Sequence, residues 1–157
     1  MKSTVYIETT IISYLTAKPS RDLIVAAHQQ ITSDWWNIAR LNFDCFISPF
    51  VIQEIYAGDP YAVARRFEIV KDLPVLRINK EIQILAQKYF DNLDIPDKAR
   101  LDAAHLAVEV WHKMDYMLSW NCTHIVSGRV IKALEKINSK LKIKTPTLCT
   151  PEELLEV

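Results

Sequence analysis

The chain has 157 residues, half of them hydrophobic and only two of them glycine, which fits one domain over residues 1–157 with a single core and argues against a disordered or repetitive protein. Lysine plus arginine equals aspartate plus glutamate, 19 each, so any contact with nucleic acid must come from a local patch and not from a bulk cationic surface. Cys45, Cys122 and Cys149 are odd in number and lack a C-x-x-C pair, which argues against a disulfide framework or a cysteine zinc site and fits reduced thiols in the cytoplasm.

The first apolar run, 4–7 (TVYI), suits a buried strand. Glu8 cuts it short, so it is no signal-peptide core, and no later run approaches the ~18 apolar residues of a membrane span. Ile11, Ile12, Tyr14 and Leu15 then have the spacing of a short helix, and 22–41 that of a longer one carrying Trp35 and Trp36. Both rings are expected partly buried against neighbouring helices, with a partner or dimer surface as the alternative for one of them. A second strand is expected at 43–47 (FDCFI). Ser48 is a good N-cap, Pro49 suits a first helical position and Gly58 a C-terminal stop, which together frame a helix over 49–57. Further helices are expected at 60–72, 79–92, 98–113 and 128–141, and further strands at 74–78 (PVLRI), 116–119 (YMLS) and 145–149 (TPTLC). Strands separated by helices of this length imply right-handed crossovers and a parallel sheet, hence a three-layer α/β/α sandwich.

Chemistry in open parallel sheets collects at the carboxyl ends of the strands. Glu8 is at such an end, and Asn121 follows the strand YMLSW at another. Glu54 projects beside Phe50 and Val51 and not onto a polar stripe, and Asp102 opens the apolar helix LDAAHLAVEVW. Each has a structural explanation alone: a carboxylate at a helix N-terminus, a snorkelling edge residue, a first-turn aspartate and a turn asparagine. Gathered on one rim they would repel, by roughly 4 kcal/mol per carboxylate pair about 4 Å apart at an effective dielectric near 20, and a cation would offset this. Hard oxygen ligands without cysteine or an H-E-x-x-H pattern select Mg²⁺ or Mn²⁺ over Zn²⁺, and such ions usually act on phosphate esters.

Four segments, YIETTIISYL, CFISPFVIQEI, LDAAHLAV and YMLSWN, resemble in order and spacing the PIN-domain nucleases, in particular the VapC-type toxins of bacterial toxin–antitoxin pairs. The resemblance spans nearly the whole chain. It implies an α/β/α sandwich, a rim of acidic residues holding one or two divalent cations, and endoribonuclease activity. It also implies a small antitoxin as partner and a homodimer as the working assembly. Carried over by position, Glu8, Glu54 and Asp102 correspond to the acidic metal ligands and Asn121 takes the fourth place. Most members have Asp where this chain has Glu8, and many have an acid where it has Asn121. Thr9 and Ser119 match hydroxyls beside the site, with a helix cap at Thr9 and a turn at Ser119 as the alternatives.

His105 lies one turn after Asp102 on the same helix face, where a hydrogen-bonded core histidine competes with an accessory ligand or general acid. His124 and the basic stripe Lys132, Lys136 and Lys140 are the candidates for phosphate contacts, against the plainer reading of a solvated face. The sequence thus favours a Mg²⁺- or Mn²⁺-dependent ribonuclease. A scaffold module with the same fold and a weakened metal site is the alternative, suggested by the departures at positions 8 and 121. A P-loop or dinucleotide site is disfavoured, because Gly58 and Gly128 are the only glycines.

Overall fold

The computed structural model describes residues 1–155, so the last two residues of the expected 1–157 unit lie outside it. Four strands form one all-parallel sheet in the order β2-β1-β3-β4, with β1 Ser3–Ile7, β2 Phe43–Phe46, β3 Tyr116–Leu118 and β4 Thr147–Cys149. The helices are α1 Thr9–Thr16, α2 Leu23–Asn37, α3 Pro49–Ile55, α4 Pro60–Val70, α5 Lys80–Asn92, α6 Arg100–Trp111 and α7 Gly128–Lys140. The expected sandwich is therefore present. Trp35 of α2 stacks on Phe43, which meets Tyr116 edge-on, so α2 covers the face of the sheet bearing these rings. Tyr6 points to the opposite face, where its hydroxyl meets His105 of α6, and α5 and α7 extend that layer.

Local chemistry explains most boundaries. The Ser48 side chain accepts from the Phe50 N–H and Pro49 takes the first position of α3, as expected. Helix α3 ends at Ile55, and Gly58 with φ of +96° turns the chain toward α4, a left-handed conformation that a side chain would strain. Helix α2 is shorter than expected, because the chain tightens into a 3₁₀ turn over Ala39–Asn42 before β2. The expected strand at 74–78 is instead a single parallel bridge between Ile47 and Val75. Pro74 has no N–H to give a ladder, and the contact reduces to the Ile47 N–H on the Pro74 carbonyl and the Leu76 N–H on Ile47. Trp35 is fully buried, while Trp36 is half-buried with the Arg40 guanidinium over its ring, 4.6 Å from the centroid. Cys45, Cys122 and Cys149 are free thiols. Among the described residues no helix is long and apolar enough to cross a membrane.

Strand order dictates where a ligand can enter. From β1 the chain moves outward to β2, whereas from β3 it moves to β4 on the other side. The connections therefore diverge above the carboxyl ends of β1 and β3, leaving a crevice there. The Glu8 N–H extends the pairing to the Leu118 carbonyl, so the two strand ends are bonded up to this crevice.

One buried group does not contribute to this crevice. Glu109, one turn beyond His105 in α6, is fully buried and its carboxyl oxygens meet no hydrogen-bonding protein group among the described residues. Desolvation pushes its pKa well above the ordinary 4.5. Below 4.5 the folded and unfolded chains both hold this proton and its stabilising effect is complete. At higher pH the unfolded chain releases the proton first, and the stability falls progressively through the interval up to the folded value. Glu109→Leu should therefore raise stability at neutral pH by about 1–3 kcal/mol and flatten the decline toward alkaline pH. Denaturant melts across pH check this, and a less stable variant would reveal a partner for the carboxyl.

Candidate metal centre

Glu8 is the last residue before α1 and makes no side-chain cap to that helix, so its carboxylate is not a helix-terminus device. It is only 2 % exposed. Ser119 Oγ donates to its Oε1 at 2.6 Å and Thr10 Oγ1 donates to the same atom at 2.5 Å, while Thr10 itself accepts from the Trp120 N–H at 2.8 Å. These bonds join the segments that follow β1 and β3. Burial raises the Glu8 pKa, against the opposing effects of His105 and the Ser119 and Thr10 hydroxyls.

Glu54 enters from α3. Its Oε1 accepts from Thr9 Oγ1 at 2.7 Å and contacts His105 Nε2 at 2.5 Å. Partial burial pulls its pKa up, but the hydrogen bond and charge of His105 outweigh it, and the net shift is downward. The other ring nitrogen of His105, Nδ1, meets the Tyr6 hydroxyl at 2.6 Å, and Tyr6 in turn meets Ser48 Oγ at 2.7 Å. His105 is fully buried, which alone would lower its pKa, yet the hydrogen bond and charge of Glu54 with the field of Glu8 raise it. With both nitrogens protonated, Nε2 donates to Glu54 and Nδ1 donates to Tyr6, which then donates to Ser48.

One potential ligand atom from each of Glu8, Glu54 and His105 lies within 4.8 Å of the other two. Asp102 stands just outside this group, in the first turn of α6, with Oδ2 3.1 Å from His124 Nδ1. Burial raises its pKa, opposed by Asn121, His105 and His124. The Asn121 oxygen accepts the His124 N–H at 3.0 Å, so it closes the turn after β3. The four residues singled out by sequence thus share the rim, but the tightest cluster pairs two of them with His105. Lys132, Lys136 and Lys140 lie on α7, beyond this cluster. Tyr6, Thr10 and Ser48 were not singled out for the site. A tyrosine inside an apolar strand was the available signal, since a buried hydroxyl needs a partner.

These donors fit a hard divalent cation. Among the described residues the ion pairs of Glu54 and Asp102 are with histidines, and no lysine or arginine neutralises the rim. With its Nε2 proton directed at Glu54, His105 orients that carboxylate and holds it ionised.

The sheet order and the crevice at the ends of β1 and β3 define a PIN-like α/β sandwich, and the solved structures bear this out for the fold. One similar chain is in the crystal structure of VapBC2 from Rickettsia felis bound to a DNA fragment from their promoter, with TM-score 0.58, 11 % identity, and 94 % of this chain and 98 % of that one covered. Another is in the structure of VapBC-1 from nontypeable Haemophilus influenzae, with TM-score 0.56, 14 % identity, and 95 % and 98 % covered. No protein-family model matches the sequence, and no curated protein matches it.

The burial of the Glu8 carboxylate leads to an expectation for the metal-free protein. Glu8→Gln should melt about 2–4 °C higher than wild type after chelation, the equivalent of about 1 kcal/mol in a chain of this size, because a neutral amide keeps the hydrogen bonds and spares the cost of burying a charge. Ser119→Ala should melt lower, since it strips a donor from a buried carboxylate. Thermal melts in chelator check both, and a destabilised Glu8→Gln would mean that the charge is already compensated.

Proposed function

We propose that the protein is a Mg²⁺- or Mn²⁺-dependent endoribonuclease and the toxin of a toxin–antitoxin pair. The observation that carries this reading is the buried Glu8 beside the half-buried Glu54, close enough to share a cation and without a lysine or arginine to neutralise them. The fold shared with chains of two VapBC complexes supports it.

In this reading Glu8, Glu54 and Asp102 hold the ion, with Asn121 at the edge of the site. A divalent cation bound there supplies an activated water and stabilises charge on the scissile phosphate. Thr9, Thr10 and Ser119 hold the carboxylates in position through their hydroxyls, and His105 keeps Glu54 charged. His124, beside Asp102, is placed to meet a phosphate. No side chain need act as nucleophile.

A small antitoxin is the proposed partner, in a cytoplasmic setting. Leu23 and Ile24 on α2 and Tyr61 and Phe67 on α4 are exposed, and Phe67 lies against Tyr56, which supplies apolar surface for a partner helix or a second copy. The scaffold alternative draws on one observation, the use of the Asn121 oxygen within its own loop.

Activity separates the two readings. Mn²⁺ should raise the melting temperature of chelator-treated protein by mass action, and Glu54→Gln and Asp102→Asn should each lower RNA cleavage by at least the ~10–100-fold that loss of even an outer-shell partner costs, with unchanged circular dichroism. Wild-type rates in either variant would remove that residue from the site, and no metal response in melting or cleavage would favour the scaffold.

A further inference from the structure

The ribonuclease reading leaves open how a strand lies on the protein, and the layer of α5, α6 and α7 bears on this. Helices α5 and α7 run side by side, tied at one end by the Arg129 guanidinium, which donates to the Leu93 carbonyl at 3.0 Å. That end adjoins the rim: α5 leads through a short 3₁₀ turn into α6 and Asp102, and α7 begins just after the loop that carries Asn121 and His124. From there a groove of about 450 Å³ descends between the two helices. Lys88 and Asn92 of α5 and Lys136 and Lys140 of α7 supply its polar groups over a floor that includes Ala133 and Ile137, and no carboxylate lines it.

We propose that this groove carries the RNA strand away from the carboxylate rim, with the ammonium groups of Lys88, Lys136 and Lys140 on successive phosphates. The proposal rests on the ribonuclease reading above. Among the described residues the one lysine in an ion pair is Lys71, just after α4, so the three lysines that line the groove have no ion-pair partner of their own. Like charges brought together from two helices repel, and a polyanion relieves this. Lys136 and Lys140 are separated by about 6 Å along the helix axis, the scale of the step between phosphates in an extended single strand. The positive end of the α7 macrodipole sits at the rim, where the strand enters. Ala133, Ile137 and Leu141 offer riboses an apolar floor.

The groove also divides the basic stripe. Four residues overshoot one helical turn by about 40°, so the row Lys132, Lys136, Lys140 winds around α7. Lys136 and Lys140 turn into the groove and Lys132 stays outside it, whereas Lys88, from the other helix and 48 positions before Lys136 in sequence, joins them.

The test is the salt dependence of binding. Short fluorescent oligouridine RNA is titrated by anisotropy at several salt concentrations, in chelator so that nothing is cut. The triple variant Lys88→Gln, Lys136→Gln, Lys140→Gln should flatten the slope of log K against log salt by about 2, from about 0.7 for each lost single-strand phosphate contact. The matching triple arginine variant should keep the wild-type slope, and Lys132→Gln should leave it unchanged. Cleavage of long RNA should fall in the glutamine variant, while cleavage of a dinucleotide, too short to reach the groove, should persist. Parallel lines for wild type and the glutamine variant, with equal melting temperatures, would overturn the groove. Absence of RNA binding by the wild type would overturn it too. Neither result touches the metal response of the rim, which is read separately by melting and by dinucleotide cleavage.

Discussion

Everything at the rim depends on a buried carboxylate that the fold accepts without a lysine or arginine. Glu8 ends the central strand, where withdrawing a charge from water costs several kcal/mol unless hydrogen bonds and counter-charge offset it. The offset is assembled from distant parts of the chain. Ser119 reaches it from the end of β3, Thr10 from its own helix, and His105 contributes a field from α6. The bond from Ser119 joins residues 111 apart in sequence, so the rim forms only when the parallel sheet has closed. Site and topology are one constraint.

The architecture was readable because its signals are local. Short β-branched and aromatic runs separated by amphipathic stretches mark strands and helices, and Ser48, Pro49 and Gly58 punctuate α3 through their own backbone preferences. The segment 74–78 misled for a complementary reason. Val75, Leu76 and Ile78 have strand composition, but pairing needs donors on a continuous edge, and Pro74 removes one where the chain meets Ile47.

For the site, sequence indicated which residues collect at strand ends but not how they touch. Glu8, Glu54, Asp102 and Asn121 could be assigned to one rim by topology, and Thr9, Ser119 and His105 could be associated with it. The order of contact could not be read. Helical periodicity puts His105 on the face of Asp102, yet its strongest partners are Glu54 from α3 and Tyr6 from β1, contacts between elements that the periodicity of one helix does not carry. Tyr6 counted as an apolar strand residue because hydropathy scores the ring and overlooks the hydroxyl. Lys88 escaped notice for the same kind of reason, since only the packing of α5 on α7 brings it to Lys136.

The chain of bonds from Ser48 through Tyr6 and His105 to Glu54 also limits how the protein can change over evolutionary time. Ser48, Tyr6 and His105 satisfy one another in a space closed to water and Glu54 ends the chain at the rim, so replacing one orphans a neighbour. A phenylalanine at position 6 would leave an imidazole nitrogen without its partner, and an apolar residue at position 105 would leave both the phenol and the carboxylate short of one. Viable descendants should therefore alter these positions in concert, exchanging the whole polar set for another, and single replacements should persist only where a compensating change has come first. Drift along this lineage would proceed by linked steps at four sites dispersed between residues 6 and 105.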